Sequence, residues 1–165
     1  MRTLFVKVAL CAAVIFAPTT AKAQGTEFEK LAKIKGVEYV HMDKNAINST
    51  VEAGSGLNLG NVVNIDDGFA DMFDDLKVFS CEEKSVIKKF EKEATKFLKD
   101  TKWQSLIDTT DEDGEKVRIL QAKNGERTTT VIFAVEKNEA ALVVVDGKFN
   151  IAEMMGKYSK TDDKD

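Results

Sequence analysis

Three runs of β-branched and aromatic residues, joined by two polar turns across residues 115–146, constrain this chain more than any other stretch. The runs cover 115–123, 128–135 and 140–145, with Asn124-Gly125 in the first turn and Glu136-Lys137-Asn138-Glu139 in the second. Val, Ile, Thr and Phe suit a pleated, half-buried surface, and Asn-Gly supplies the positive φ angles a tight hairpin needs. The pattern predicts an antiparallel meander. In 131–135 and 141–145 both alternating sets of side chains are apolar, which predicts cover on both faces of the sheet or a self-associating face.

The rest of the chain supplies that cover. Residues 37–43 alternate as a strand, with Val37, Tyr39 and His41 on one side and Val40 and Met42 on the other; 76–79 and 103–107 read as two more strands, and 111–114 as a turn into the meander. Thr26 can cap a short helix over 27–35 with Phe28, Leu31 and Ala32 on one face, ended by Gly36. Ser80 and Glu83 have capping-box spacing and predict a helix to about Lys99, with Val86, Ile87, Phe90, Ala94, Phe97 and Leu98 as its apolar stripe. Asn150 and Glu153 repeat that logic for a last helix bearing Ile151, Met154, Met155 and Tyr158. Residues 45–67, rich in Gly and Asn, read as a long irregular excursion. The expected fold is α+β: an antiparallel β-sheet of about five or six strands, ending in the meander, packed with an amphipathic helix and a C-terminal helix.

Residues 1–23 have the form of a secretory signal. Arg2 and Lys7 precede an apolar run over 8–17, and Ala21-Lys22-Ala23 offers a small-x-small cleavage site. The run is shorter than the roughly 20 residues a membrane span needs. The expected organisation is signal peptide 1–23, one α+β domain over 24–158 and a disordered charged tail over 159–165. The product would be exported to the periplasm or beyond, with no transmembrane segment.

Cleavage would remove three of the 24 basic residues and none of the 28 acidic ones, leaving a formal charge of −7. Such a surface repels nucleic-acid phosphates, so nucleic acid is not an expected partner. Of the two cysteines Cys11 lies inside the apolar run, which leaves Cys81 as a single thiol without an intramolecular disulfide partner. At this length a core buries about 68–70% of the unfolded surface, and no covalent staple is required.

Chemistry-bearing residues are sparse. Asp111, Asp113 and Glu115 alternate like part of a calcium loop, but the pattern's sixth and twelfth positions fall on Lys116 and Ala122 instead of Gly and Glu; a solvated turn fits better. His41 is the only histidine, too few for a zinc site with Cys81 alone, and reads as a packed or strand-surface residue. Cys81 falls in the expected first turn of the long helix, where the helix dipole would lower its pKa against Glu82 and Glu83; it lacks a CxxC partner. Trp103 can stack on a ring ligand, but at the start of a strand it more readily closes a core. Lys84, Lys88, Lys92 and Lys96 repeat every four residues and Lys99 continues them, a basic ridge on an acidic protein. These five lysines are the candidate interaction surface, against the plainer reading of a solvated helix face.

The order of elements carries a resemblance. Phe28-Glu29-Lys30-Leu31 with Lys35-Gly36-Val37, the lysine-rich helix, Glu112-Asp113-Gly114-Glu115-Lys116-Val117-Arg118-Ile119, the Asn-Gly hairpin and the Gly147-Lys148-Phe149-Asn150-Ile151-Ala152-Glu153-Met154 run resemble the domain of unknown function 4252 family. The resemblance implies a secreted or lipid-anchored protein of the Bacteroidetes group. It supplies no activity or catalytic residues. This chain differs from the family pattern in its ordinary signal and in the 45–67 excursion.

These features support an exported, non-enzymatic binding or protein-interaction domain of the bacterial cell envelope. No catalytic residue, cofactor or metal is expected. The partner would be another envelope protein or a second copy, with peripheral contact to an anionic surface. The alternatives are a small-molecule carrier or enzyme with a site at 45–67, and a homo-oligomeric structural protein.

Overall fold

The computed structural model describes residues 26–52, 57–58, 64–65 and 72–148. The expected signal over 1–23, the last helix over 150–158 and the tail over 159–165 lie outside them.

The meander forms as β6 (Lys116–Asn124), β7 (Arg127–Val135) and β8 (Ala140–Gly147). Its register places Val131 opposite Leu120 and Val144, and Ile132 opposite Ile119 and Val143, so each face has its own apolar row. Gly125 takes the positive φ of 62° at the β6–β7 turn. β4 (Phe73–Cys81) pairs with the free edge of β8, and β1 (Glu38–Asp43) pairs with β4; β5 (Gln104–Thr110) closes the other side against β6. The result is a six-stranded antiparallel sheet in the order β1-β4-β8-β7-β6-β5. Two-residue strands β2 (Leu57–Asn58) and β3 (Asn64–Ile65) pair separately.

A 3-10 helix (Thr26–Lys33) and α2 (Lys84–Leu98) bury one sheet face. Phe28, Leu31 and Ile34, three apart, all point into this core, the spacing that a helix of three residues per turn aligns. That periodicity explains a 3-10 helix where an α-helix with Phe28, Leu31 and Ala32 inward was expected; Ala32 is only partly buried. From α2 come Val86, Ile87, Phe90, Ala94 and Leu98, set against Phe79, Leu120, Val131, Phe133, Leu142 and Val144 of the sheet. The opposite face packs Leu76, Ile119, Ile132 and Val145 with Met42 and Ile47.

Ile47 belongs to α1 (Lys44–Glu52), and here the expected irregular excursion is corrected. Asp43 ends β1 and accepts the amide of Ala46 on Oδ1 at 2.9 Å, an N-cap that turns the chain directly into the helix. Burial of Ile47 overrides the weak helix propensity of its Asn and Thr neighbours. The Ser80–Glu83 capping box does not form either. Ser80 and Cys81 are spent on the β4 ladder, opposite Ala141 and Ala140, and α2 starts at Lys84 with Glu83 at the cap and no side-chain cap bond. The Glu83 carboxylate instead accepts the Ser85 hydroxyl at 2.5 Å.

Candidate functional site

The apolar stripe of α2 fixes which way its lysines face. With Val86, Ile87, Phe90, Ala94 and Leu98 buried, Lys84, Lys88, Lys92, Lys96 and Lys99 are all exposed. At 1.5 Å per residue the row is about 22 Å long. Two nearby carboxylates are already engaged. Glu93 takes Lys96 at 2.7 Å, and Glu91 turns to Lys116 of β6 at 2.6 Å. The hydrogen bond from Lys96, helped by the charges of Lys96, Lys92 and Lys89, holds the Glu93 carboxyl below its ordinary range. Lys84, Lys88, Lys92 and Lys99 make no ion pair with a described residue.

The sheet holds a second charged cluster that sequence reasoning missed. Asp75 and Lys77 alternate onto one face of β4, across from Asp43 and His41 of β1. His41 Nε2 lies 2.5 Å from Asp75 Oδ1; Lys77 Nζ lies 3.6 Å from Asp75 Oδ2 and 3.3 Å from Glu29 Oε1, with the lysine 2% exposed. Tyr39 stacks between His41 and Phe79, and burial, then Glu29 and Asp75, push its phenol up to about 12. Beside it Arg127 joins Asp146 and Asp74, each at 3.4 Å, and Lys44 reaches Asp74 at 3.3 Å. Burial raises the Asp146 pKa against the opposing charge of Arg127, with Asp75 and Asp74 adding to the rise. The signal in the sequence was the pair of charges Asp75 and Lys77, two apart, so that both fall on one face of a strand whose Phe73, Leu76, Val78 and Phe79 are apolar. The carboxylates and cations satisfy one another in two adjacent sets: one ties β1 and β4 to the 3-10 helix, the other ties β4, β7 and β8 to α1. Among the described residues no group of three His, Cys, Asp or Glu is placed to hold a metal ion.

The acidic 111–115 turn behaves as a turn. Asp111 Oδ1 accepts the amides of Asp113 and Glu115 at 3.0 and 2.9 Å, and Gly114 has φ 83°. A cleft of about 170 Å³ opens beside it, lined by Thr109, Asp111, Glu115, Lys116, Val117 and Glu136. Small-molecule sites span about 300–1,000 Å³, so this cleft is undersized for one. Burial raises the Glu136 pKa, with Glu115, Glu139 and Asp111 adding to it. Trp103 donates its Nε1 hydrogen to the Phe97 carbonyl at 3.0 Å and packs at 6.0 Å from Phe28; it closes the core beneath the end of α2.

Cys81 is corrected in both place and chemistry. It ends β4 instead of opening α2, is 3% exposed, and burial pushes its thiol up to about 11, with Glu139 adding and a backbone hydrogen bond at Ala140 opposing. A thiol attacks as thiolate, so both effects suppress its reactivity. Labelling with a disulfide reagent at pH 8 is expected to be slowed on the order of 10²-fold in the native protein relative to the same protein in denaturant. Equal rates would place Cys81 at an accessible surface.

No curated protein and no solved structure matches the chain. The model of the domain of unknown function DUF4252 matches residues 32–156, from the end of the 3-10 helix through the whole six-stranded sheet, and the chain belongs to that family.

Proposed function

We propose that the protein is an exported, non-enzymatic binding or protein-interaction domain of the bacterial cell envelope, with the outer face of α2 as its contact surface. The carrying observation is the row of unpaired lysines on a helix whose apolar side is wholly engaged with the sheet. Export is read from the residue pattern of 1–23, and no helix among the described residues is long and apolar enough to cross a membrane. The carrier or enzyme alternative would require a deep pocket joining His41 or several carboxylates; His41 is engaged with Asp75, and the acid-lined cleft is small.

Replacing Lys84, Lys88, Lys92 and Lys99 by Glu tests the surface. Lys96 is spared because it already pairs with Glu93. Capture of envelope components by the purified protein is expected to be lost, while the thermal midpoint moves by only a few degrees, as exposed substitutions change stability by about 0.5 kcal/mol each. Undiminished capture would remove α2 as the contact surface.

A further inference from the structure

We infer that the α2 ridge docks on an anionic lipid surface, with lipid phosphates as its ligands. This rests on the reading that α2 is the contact surface and names what it contacts. At about 100° per residue, Lys84, Lys88, Lys99 and Lys92 fall in that angular order within about 80° of arc, so one flat surface can meet all four ammonium groups together. Lys96 lies beyond that arc and is the one that pairs directly with Glu93. Lys89 is also exposed but stands farther round the helix, so the plane is set by Lys84, Lys88, Lys92 and Lys99.

The outer face of α2 also lacks what a strong protein interface needs. Affinity between proteins concentrates in desolvated aromatic, aliphatic or arginine anchors at the centre of the patch. On α2, Val86, Ile87, Phe90, Ala94 and Leu98 are all buried against the sheet, and Phe97 packs with Phe28 at 5.6 Å. What remains is a convex row of flexible ammonium groups. An anionic bilayer demands no shape complementarity and rewards each nearby lysine by roughly five-fold in binding. The chain as a whole is acidic, with a formal charge of −4, so attraction to such a surface has to be local to the ridge and would orient the molecule with α2 downward.

Cosedimentation of the purified protein with vesicles tests this. One set contains phosphatidylglycerol and phosphatidylcholine in a one-to-two ratio, the other phosphatidylcholine alone. Binding to the anionic vesicles only is expected, with release as salt approaches about 1 M, where the screening length falls to about 3 Å. Glu at Lys84, Lys88, Lys92 and Lys99 should weaken it on the order of 10²-fold, whereas Arg at the same four positions should retain it. Equal binding to neutral vesicles, as an apolar leader would produce, overturns the inference, as does binding that the Glu variant keeps. Failure to bind anionic vesicles, alongside ridge-dependent capture of an envelope protein, overturns the lipid assignment while leaving α2 as the contact surface. Loss of both would remove α2 altogether.

Discussion

Gly147→Ala is expected to destabilise the protein by at least about 3 kcal/mol, lowering the thermal midpoint by roughly 10 °C. Gly147 is the last residue of β8 and lies opposite Phe73, where the β4 register shifts between Phe73 and Asp75. That irregularity brings the Met72 carbonyl in so closely that a Cβ on Gly147 would sit 2.0 Å from its oxygen and 3.0 Å from its carbon. The obstructing atoms are backbone, so no rotamer change can relieve them. The same carbonyl accepts the Lys148 amide at 2.9 Å, and moving it away would break the bond that closes this end of the β4–β8 pair. Gly125→Ala is the control. Its Cβ would meet nothing within 4 Å, and the cost comes from the positive φ alone, about 1 kcal/mol. Thermal or urea unfolding of both variants gives the comparison; a Gly147 variant no less stable than the Gly125 variant would mean that the bulge relaxes freely.

How far the sequence was legible follows from where each element gets its stability. The meander was readable because its signals are local: β-branched runs, an Asn-Gly turn, and apolar residues on both faces that called for cover on both sides or a self-associating face. The apolar stripe of α2, and with it the outward direction of Lys84, Lys88, Lys92, Lys96 and Lys99, was readable for the same reason. Elements that depend on distant partners were not. Ser80 and Glu83 carry a sound local capping signal, but β4 gains more by placing Ser80 between β1 and β8 and extending through Cys81 against β8, and that competition is invisible in a window of four residues. Cys81 moved from helix to strand as a consequence, and its expected pKa shift reversed sign. In α1 the decisive term is burial of Ile47 beneath the sheet, a contact between elements and no property of the Asn-rich segment itself. The Asp75–Lys77–Glu29 network joins residues 48 apart in sequence, and the tight approach at Gly147 joins β8 to a carbonyl at Met72. The spacing of Asp75 and Lys77 marks the strand but not the partner Glu29, and the Gly147 approach has no signature along the chain.

Phe90→Ala is expected to cost about 3–5 kcal/mol, the range for emptying a fully buried aromatic site, and to lower the midpoint by roughly 10–20 °C. Phe90 is 0% exposed at the centre of the α2 stripe, with its ring tilted against Phe133 of β7 at 6.3 Å. The sheet beneath cannot collapse into the space, because Val131, Phe133 and Leu142 are held by ladder bonds on both sides. Phe90→Leu keeps most of the volume and should cost less than about 1.5 kcal/mol. A cost for the alanine variant as small as that for leucine would show that α2 rests loosely on the sheet. The pair also separates platform from contact surface. Phe90→Ala removes stability but leaves the lysine row intact, so vesicle binding should persist well below the lowered midpoint and disappear with unfolding. The four Lys→Glu changes should do the opposite, abolishing binding while the melt stays close to that of the parent. If Phe90→Ala weakened binding at temperatures where the protein is still folded, the ridge would depend on how firmly α2 is seated, and the charges alone would not account for its contact.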